Sequence, residues 1–453
     1  MHVVNPTTGE EGPEFALHTR DEVEAKLKLA VGSQAQWAET PLDHRAELLR
    51  RVAESLRARK RPLAELMTRE MGKPLAQGVS EAEKCAWVCD YYAEHAAGFL
   101  AREVIETDAS ESFVSHQPYG LVLAIMPWNF PFWQLFRHAA PGLMAGNAIL
   151  LKHAANVPGC AEAIEQIFVD AGYLHGLVTN LRMDHDVAEE VIEDPRVAGV
   201  TLTGSTQAGQ AIAAIAGRAL KKTVLELGGS DPYVILDDAD LDAAVEASVH
   251  SRLINNGQSC IAAKRFLVTE KNHDAFVTRM VALMKDKTMG DPMDEGTDIG
   301  PQAREDLRDD LHAQVKKSVE AGAKCELGGE VPDRPGFFYP PTVLTGVKKG
   351  MPAFDEELFG PVAAVIRCRD EEEAIALAND TPFGLGAAVF TADVARGRKI
   401  AETRLHAGCC FVNAFVKSDP RLPFGGVGQS GYGRELARQG ILEFVNAKTV
   451  YVA

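Results

Sequence analysis

The amino-terminal part of the chain has the residue pattern of amphipathic helices. Apolar residues recur at three- and four-residue intervals through residues 20–104, first in DEVEAKLKLAVGSQAQWAE and then in LDHRAELLRRVAESLRARKRPLAELMTREMGK. This spacing lets one face of each helix pack against a core. Gly72 and Pro74 predict the end of the second helix, because both residue types interrupt helices. The next segment, SFVSHQPY at residues 112–119, predicts a short strand.

From residue 120 onward, short apolar runs alternate with helical patterns. The runs that predict strands are GLVLAIMPW, AILLKH, GLVTNLRM, RVAGVTLTG and TVLELGG. Helices are expected between them, in PFWQLFRHAAPGLMAG with Pro131 in its first turn, in VPGCAEAIEQIFVDAG and at about residues 206–219. Strands that are apolar along their whole length predict a parallel sheet covered by helices on both faces. Such sheets bind ligands at the carboxyl ends of their strands.

A second series of strands and helices begins at PYVILDDADLDAAVEASVH and continues to about residue 435. The tail LEFVNAKTVYVA, residues 442–453, alternates apolar and polar residues as a terminal strand does. A chain of 453 residues is also too long for one hydrophobic core. We therefore expect an α/β protein with two closely packed parallel-sheet domains and a cleft between them.

The composition narrows the class of protein. Hydrophobic residues make up 46% and charged residues 25%, the balance of a globular protein. The formal net charge of −17, without any block of Lys or Arg, argues against nucleic acid and anionic membranes as partners. No apolar run approaches the ~20 residues of a membrane helix, and no signal peptide is readable. The eight scattered cysteines lack zinc or disulfide spacing, so we expect no metal and a reducing, cytoplasmic location.

Candidate chemistry lies in four stretches beside predicted strands: PWNFPFW (127–133), TGSTQAG (203–209), LELGGSDP (225–232) and NNGQSC (255–260). Cys260 could be a thiol nucleophile, although a free cysteine is more often a small buried apolar residue. Glu226 could be a desolvated general base or a salt-bridged residue at a strand end. Asn129 could donate a hydrogen bond to an oxyanion or form a turn before a helix.

The stretch TGSTQAG follows a predicted strand and opens a predicted helix. Backbone N–H groups and the helix dipole bind phosphate at such a position. Gly204 and Gly209 are present, but Ser205 and Thr206 occupy the middle, so this is not the glycine fingerprint of dinucleotide sites. Lys152, at the end of AILLKH, could bind a ribose or a phosphate, or it could be a solvated strand end.

Taken in order along the chain, these stretches resemble the motifs of the aldehyde dehydrogenase superfamily. The resemblance covers essentially the whole chain and is carried by PWNFPFW, LLKH, TGSTQAG, LELGGSDP, NNGQSC, EELFGPV, NDTPFGL and PFGGVGQSGYGRE. It implies a Rossmann-like parallel-sheet cofactor domain in residues 1–99 and 119–228, and a catalytic α/β domain in residues 229–437. Residues 100–118 and 438–453 would form a small β element that joins subunits into a homodimer or homotetramer.

The resemblance also implies a role for each matched residue. Cys260 would attack the aldehyde carbon, Asn129 and the Cys260 backbone N–H would bind the oxyanion, and Glu226 would activate the water that hydrolyses a thioester. We therefore expect the Cys260 thiol to be exposed. The residues expected to contact the cofactor are Trp128, Lys152, Ala155, Thr203, Gly204, Ser205, Gly209, Leu227, Glu357 and Phe359. A cofactor-independent thiol esterase is the alternative, but it would not need the dinucleotide motifs.

The cofactor is expected to be NADP, or NADP and NAD alike. Many members that prefer NAD carry a glutamate three residues after the lysine matched to Lys152, and this chain has Ala155 there. Without that carboxylate, the 2′-phosphate of NADP meets no charge repulsion at this position.

Within the superfamily the chain is most similar to bacterial-type succinate-semialdehyde dehydrogenases, in LLKHAANVPGC and LELGGSDPYVILDDADL. Such a substrate has a distal carboxylate, which an arginine can bind through both oxygens. Arg137 matches one family arginine and could bind this carboxylate or form a structural ion pair. The second arginine would fall at Ile254, so Ser418 and Arg421 could substitute for it. If Arg137 is structural, another small aliphatic or aromatic aldehyde is the expected substrate.

Overall fold

The computed structural model describes residues 1–453. Its helices are α1 Arg20–Glu39, α2 Leu42–Met71, α3 Leu75–Phe99, α4 Trp133–Ala145, α5 Pro158–Asp170, α6 His185–Glu193, α7 Thr206–Arg218, α8 Leu241–Leu253, α9 Glu270–Lys285, α10 Glu305–Glu320, α11 Pro352–Asp355, α12 Glu371–Asn379, α13 Val394–Thr403 and α14 Ala437–Leu442. The first three lie where the apolar spacing predicts helices. A capping box between Thr19 and Glu22 starts α1, and Gly72, with φ of 75°, ends α2.

The strands form four sheets. Their bounds are β1 His2–Val4, β2 Glu11–Glu14, β3 Glu103–Val104, β4 Glu111–Pro118, β5 Leu121–Met126, β6 Ala148–His153, β7 Val178–Asn180, β8 Val197–Thr203, β9 Lys222–Glu226, β10 Pro232–Ile235, β11 Arg265–Thr269, β12 Lys324–Leu327, β13 Thr342–Thr345, β14 Val362–Cys368, β15 Gly386–Phe390, β16 Cys409–Val412, β17 Gly431–Tyr432 and β18 Val445–Val452. β1 and β2 form an antiparallel pair at the amino terminus.

The first large sheet has the strand order β17-β9-β8-β5-β6-β7. Its strands are parallel except β17, which pairs antiparallel with β9. Helices α1 to α5 bury their apolar faces with β5 and β6 in the largest core of the molecule. The parallel sheet predicted from the continuous apolar runs is therefore confirmed, since β5, β6 and β8 are each buried at all but one position.

The second large sheet has the order β12-β13-β14-β11-β10-β15-β16 and is parallel except for β12. Successive residues of β10 face opposite sides of the sheet. Tyr233 and Ile235 join one apolar core, while Val234 joins the other. Because both faces are covered, the strand is apolar at every position instead of alternating. The second predicted series of strands and helices is thus confirmed as an α/β layer.

The carboxyl edge of the first sheet meets the amino edge of the second. Glu226 ends β9 and Asn129 follows β5, whereas Cys260 precedes β11 of the second sheet. The Asn255 side-chain Nδ2 joins the two edges by donating to the Asn129 carbonyl oxygen at 2.7 Å. Residues predicted from separate motifs are therefore brought to one boundary between the sheets.

One predicted helix start is wrong. Pro131 lies before α4 and not in its first turn, because α4 begins at Trp133. The carboxylate of Glu81 accepts the backbone N–H groups of Phe132 and Trp133, both at 2.9 Å. A side chain from α3 thus satisfies the free donors at this helix start, which the local sequence does not reveal.

The three-stranded sheet has the order β18-β4-β3. Val104, Tyr451 and Val452 on its outer strands are exposed.

β17 lies late in the chain yet completes the first large sheet. The division into a cofactor domain, a catalytic domain and an oligomerisation element stays a prediction. None of the helices combines the length and the apolar character that crossing a bilayer requires.

Candidate active site

Residues 255–260, the nucleophile segment, have a polar sequence. Residues 255–259 are nevertheless buried, and Cys260 is half-buried. It follows α8 in a tight turn in which Asn255, Asn256 and Gly257 have φ values of 54°, 57° and 76°. Asparagine and glycine tolerate this left-handed region better than other residues. A Cβ atom on Gly257 would lie 2.2 Å from the Gly360 backbone, so only glycine fits there.

Side-chain amides of the nucleophile segment bind backbone groups from distant parts of the chain. Asn256 donates to the carbonyl oxygens of Gly72 and Pro301, both at 2.9 Å. Gln258 accepts a hydrogen bond from the Ala303 backbone at 2.9 Å. These bonds satisfy polar groups whose burial would otherwise be costly. They also fix the backbone that carries the thiol.

Cys260 is half-buried and not fully exposed, which corrects the expectation drawn from its role. Burial raises the pKa of its thiol to about 12, while the charges of Arg137 and Lys264 act in the opposite direction. The Lys264 ammonium donates to the carbonyl oxygens of Ser259 and Cys260 at 2.9 and 2.7 Å. Since the thiol is protonated at neutral pH, it needs a base to become a nucleophile.

Asn129 is tied to the nucleophile segment by two hydrogen bonds. Its Nδ2 donates to the Gln258 carbonyl oxygen at 3.1 Å, and its own carbonyl oxygen accepts from Asn255 at 2.7 Å. An amide nitrogen carries two hydrogens, so one remains for an oxyanion. Asn129 therefore has the donor that its predicted role requires, and its hydrogen bonds to Asn255 and Gln258 hold it in place.

Glu226 is buried, and neither of its carboxylate oxygens has a hydrogen-bond partner. Burial, and after it the charge of Glu435, raise the pKa of Glu226 well above its usual range, while Arg137 and Arg434 oppose the shift. Gly425 lies so close that a Cβ there would be 2.6 Å from Glu226 Oε1. Once deprotonated, a carboxylate with a raised pKa is a stronger base.

Arg137 forms a buried ion pair, which is one of the two roles that the sequence leaves open for it. Its Nε lies 2.6 Å from Glu435 Oε2, and both side chains are almost completely buried. A guanidinium N–H also donates to Thr203 Oγ1 at 3.3 Å, and the Phe424 ring lies 4.8 Å away. Glu435 belongs to the motif GYGRE, but nothing in the sequence marks it as the partner of Arg137.

Cys260 lines a cavity of about 590 Å³, a volume suited to a small ligand. The cavity wall brings together three predicted site residues, Cys260, Arg137 and Ser418. Its aromatic wall consists of Phe130, Trp133, Phe415 and Phe424. The thiol therefore faces a mostly apolar cavity that also contains positive charge.

Arg421 lies outside this cavity wall, which corrects the expectation that it substitutes for the missing arginine. Its guanidinium already binds the neighbouring Asp419 through two bonds, at 2.8 and 2.6 Å. The Arg421 side chain is 66% exposed. A carboxylate of the same loop thus compensates its charge on the outside of the molecule.

Two lysines of the site carry no motif that would have identified them. Lys84 of α3 lines the cavity and donates to Ser418 Oγ at 2.8 Å. Lys264 pairs with Glu357 at 3.2 Å, and Glu357 also accepts the Gly229 backbone N–H at 3.0 Å. The only sequence feature that could have suggested Lys84 is the polar stripe on α3 that faces the cavity: Gln77, Ser80, Glu81 and Lys84.

Several residues expected to bind the cofactor lie at the carboxyl edge of the first sheet. Lys152 of β6 is half-buried without an ion pair, and burial lowers its pKa. Ser205 caps α7 and is exposed, directly after Thr203 of β8 and Gly204. Ala155 is exposed and adds no negative charge. An open helix start and an unpaired lysine on the same edge of the sheet fit the phosphates of a dinucleotide.

The other residues expected to bind the cofactor pack closely around this edge. A Cβ on Gly209 would lie 2.6 Å from the side-chain methyl groups of Leu227, so this glycine lets α7 pack closely against the residue that follows β9. The rings of Trp128 and Phe359 meet edge to face with their centroids 5.8 Å apart. Trp128 follows β5 and Phe359 precedes β14, so this contact bridges the two sheets.

Two curated relatives resemble the chain over nearly its full length. A Synechocystis protein named as a probable NADP(+) succinate-semialdehyde dehydrogenase is 50% identical over 450 residues, which cover 99% of each chain. An Escherichia coli protein named as an NAD(P)+ succinate semialdehyde dehydrogenase is 49% identical over 448 residues, covering 99% of this chain and 97% of the relative.

A solved structure agrees with these matches. The succinic semialdehyde dehydrogenase of Streptococcus pyogenes, described in complex with NADP+, superimposes with a TM-score of 0.97 at 39% identity and covers 100% of this chain and 99% of its own. The sequence model described as the aldehyde dehydrogenase family matches residues 1–450. The chain therefore belongs to the aldehyde dehydrogenase family.

Proposed function

We propose that this protein oxidises succinate semialdehyde to succinate, with NADP or with NADP and NAD alike, through a thioester on Cys260. The observation that carries the proposal is the half-buried thiol on a rigid, buried turn, facing a cavity of about 590 Å³. The names of relatives that are about half identical over their full length support the choice of substrate. Oxidation of another small aldehyde remains the alternative.

The first step is attack of the Cys260 sulfur on the aldehyde carbon. The thiol passes its proton to solvent water, the sulfur forms the new C–S bond, and the electron pair of the carbonyl π bond moves to the oxygen, which becomes an oxyanion. The free N–H of the Asn129 amide and the Cys260 backbone N–H donate to this oxyanion. Because the donors are already fixed by bonds within the nucleophile segment, little reorganisation is needed when the charge develops.

Lys152, Ser205 and Glu357 are the residues that would hold the dinucleotide. When bound, the nicotinamide supplies the acceptor for the hydride that the substrate carbon loses. Ala155 leaves room and no negative charge for a 2′-phosphate, which supports NADP. Trp128 and Phe359 close one side of the same region with their edge-to-face contact.

Glu226 then acts on the thioester. Its carboxylate takes a proton from water, the water oxygen attacks the thioester carbon, and the C–S bond breaks to release succinate and the Cys260 thiolate. The absence of hydrogen-bond partners on either Glu226 oxygen leaves the carboxylate free to bind that water. Its raised pKa favours proton uptake.

We also propose a cytoplasmic homodimer or homotetramer. The eight unpaired cysteines suit a reducing compartment. The exposed outer strands β3 and β18 suit pairing between subunits. The division into residues 1–99 with 119–228, 229–437, and 100–118 with 438–453 belongs to the same proposal.

Steady-state kinetics of the purified protein test the proposal. NADP and NAD are compared, each with succinate semialdehyde and with butyraldehyde, which shares the four-carbon skeleton but lacks the distal carboxylate. We expect kcat/KM to favour the acid by about 100-fold, or about 2.7 kcal/mol, and NADP to serve at least as well as NAD. Cys260→Ala should bind NADP and show no turnover.

Each failure has a distinct meaning. Equal kcat/KM values for the two aldehydes would refute succinate semialdehyde as the substrate but leave the oxidation chemistry standing. Turnover by Cys260→Ala would refute the thioester mechanism. Strict use of NAD would refute the interpretation of Ala155.

A further inference from the structure

The turn that carries Asn129 is anchored by a buried carboxylate from α3. Glu81 Oε1 accepts the backbone N–H groups of Phe132 and Trp133, both at 2.9 Å. These two residues follow Asn129 by three and four positions. A charged acceptor forms stronger hydrogen bonds than a neutral one. Glu81 therefore fixes the backbone close to the amide that is proposed to bind the oxyanion.

The charge of Glu81 is compensated by Lys73. The Lys73 ammonium forms a hydrogen-bonded ion pair with Glu81 Oε2, and both side chains are almost completely buried. The same ammonium lies 3.9 Å from the centroid of the ring of Phe130, the residue directly after Asn129. A buried ion pair contributes little to stability by itself. Both of its members, however, contact the turn that carries Asn129.

The same piece of chain also holds the nucleophile segment. Gln77 Oε1 accepts the backbone N–H of Asn255 at 2.6 Å, and the Gly72 carbonyl oxygen accepts from Asn256 Nδ2 at 2.9 Å. We call residues 72–81 the junction segment, because they connect α2 to α3 and form the first turns of α3. The junction segment therefore binds both pieces of chain that would donate to the oxyanion.

The backbone of the junction segment is itself fixed. Gly72 has a φ of 75°, and a Cβ atom there would lie 2.7 Å from the Pro301 side chain. Pro74, whose ring restricts its own φ, precedes α3. The backbone N–H of Leu75 donates to the Pro292 carbonyl oxygen at 2.9 Å. The segment can therefore serve as a rigid support for the groups bound to it.

The proposed oxyanion site takes its two donors from different pieces of chain, the Asn129 side chain and the Cys260 backbone. Such donors stabilise a developing charge best when their positions are fixed before the reaction. One connection between the two pieces is direct, from Asn255 Nδ2 to the Asn129 carbonyl oxygen at 2.7 Å. The junction segment supplies a second connection through α3.

We propose that Glu81, paired with Lys73, and Gln77 are positioning residues that hold the two donors of the oxyanion site in register. Glu81 acts on the Asn129 side and Gln77 on the Cys260 side. Neither residue makes a bond to the substrate or transfers a proton. The inference rests on the proposed function, because it assumes that Asn129 and the Cys260 backbone N–H bind an oxyanion.

Two double variants isolate the acceptor oxygen of Glu81. The acceptor variant, Lys73→Met/Glu81→Gln, keeps an oxygen for the two N–H groups, whereas the acceptor-free variant, Lys73→Met/Glu81→Met, removes it. Neither leaves a buried charge unpaired. The acceptor variant should keep most of the wild-type kcat. The acceptor-free variant should lose about tenfold to 100-fold in kcat with KM within about threefold. Succinate semialdehyde and butyraldehyde should show the same loss, since both form an oxyanion.

A double-mutant cycle with Asn129→Ala shows whether Glu81 acts through Asn129. In the Asn129→Ala background, the acceptor and acceptor-free variants should differ in kcat by less than about threefold, because the donor that Glu81 positions is gone. A general structural contribution of Glu81 would lower kcat by the same factor in both backgrounds. The cycle therefore separates positioning from overall stability.

The control is Lys60→Met/Glu83→Met. It removes a lysine–glutamate pair that also joins α2 and α3, at 2.7 Å, but its side chains are 45% and 39% exposed. Its kinetics with both aldehydes should equal those of the wild type. Gln77→Met tests the Cys260 side and should lower kcat by about threefold to tenfold. Gln36→Met, at an exposed glutamine of α1, is the matched control for Gln77→Met.

The outcomes separate this inference from the proposed function. Wild-type turnover of Asn129→Ala refutes the proposed oxyanion site itself. If Asn129→Ala loses turnover but the acceptor-free variant does not, the role of Glu81 is overturned. A rise in KM without loss of kcat makes Glu81, which lines the cavity, a substrate contact and also overturns the inference. Equal losses in both backgrounds do the same. If the acceptor-free variant does not fold, Gln77→Met decides, since wild-type kcat in that variant overturns positioning by the junction segment.

Discussion

The nucleophile segment and the Lys84–Ser418 pair lie on the same cavity wall but are built in different ways. The first is one continuous piece of chain, with three successive residues in the left-handed region and amides bonded to buried backbone. The second joins two side chains that are 334 residues apart in sequence. The thiol is therefore positioned by local backbone conformation, whereas the hydrogen bond between Lys84 and Ser418 depends on the packing of α3 against a late loop.

Burial has opposite consequences in these two regions, although the cause is the same. Desolvation disfavours charge, so it raises the pKa of the Cys260 thiol to about 12 and lowers that of the Lys84 ammonium to about 8. At neutral pH the lysine is mostly protonated and can bind a carboxylate, while the thiol is neutral and depends on a base. The Lys84 ammonium is thus charged at neutral pH without assistance, whereas the Cys260 thiol must first lose its proton.

The largest effect is expected from removing the carboxylate that activates water for hydrolysis of the thioester. Glu226→Gln should lower steady-state turnover by about 10²–10⁴-fold, because water is no longer deprotonated for attack on the thioester. The acyl-enzyme should accumulate and be detectable by intact mass spectrometry after one turnover. Glu402→Gln, an exposed carboxylate on α13, is the matched control. A Glu226→Gln protein with normal turnover would remove Glu226 from the mechanism.

The same residue predicts a pH dependence. The pKa of Glu226 is raised, so the active carboxylate is lost as the pH falls through that raised value. Wild-type turnover should therefore increase with pH on the acid side, and the increase should be absent in Glu226→Gln. The two pH profiles, measured with the same substrate, make this comparison.

The next largest effect is a loss of stability when Arg137, which has a buried carboxylate partner, is replaced. Arg137→Met leaves Glu435 buried without its cation, so the free energy of unfolding should fall by about 3–5 kcal/mol. Urea unfolding followed by fluorescence measures the change. Arg20→Met breaks an ion pair with Glu190 whose side chains are 66% and 54% exposed, and it should keep nearly wild-type stability. Wild-type stability of Arg137→Met with lost preference for succinate semialdehyde would return Arg137 to substrate binding.

A last prediction, which needs no variant, concerns the reactivity of the Cys260 thiol in the free protein. With a pKa of about 12, the thiolate fraction of Cys260 increases about tenfold per pH unit. The rate of alkylation by iodoacetamide at Cys260, followed by peptide mass spectrometry, should rise in that proportion from pH 6 to pH 9. A plateau near pH 7 would show that the thiolate is already formed without a base.

Local patterns were enough to predict the two parallel sheets and the helices α1 to α5 and α7. Continuous apolar runs predict strands covered on both faces, as β5, β6 and β10 show. The start of α4 was predicted wrongly, because Glu81 from another helix completes its cap. The predicted sites Cys260, Glu226 and Asn129 all come to the boundary between the sheets, since each lies beside a strand end or a strand start. Their catalytic roles stay proposals.

The sequence by itself determined the succession of strands and helices along the chain, the turn residues of the nucleophile segment and the family to which the protein belongs. Only the tertiary structure decided which charges remain uncompensated. Arg137 is paired because Glu435 folds back onto it, Arg421 is paired by Asp419, and Lys84 has a hydroxyl partner in place of a carboxylate. Backbone conformation and apolar periodicity are local properties of a sequence, whereas desolvation and charge pairing depend on which distant side chains occupy the same space.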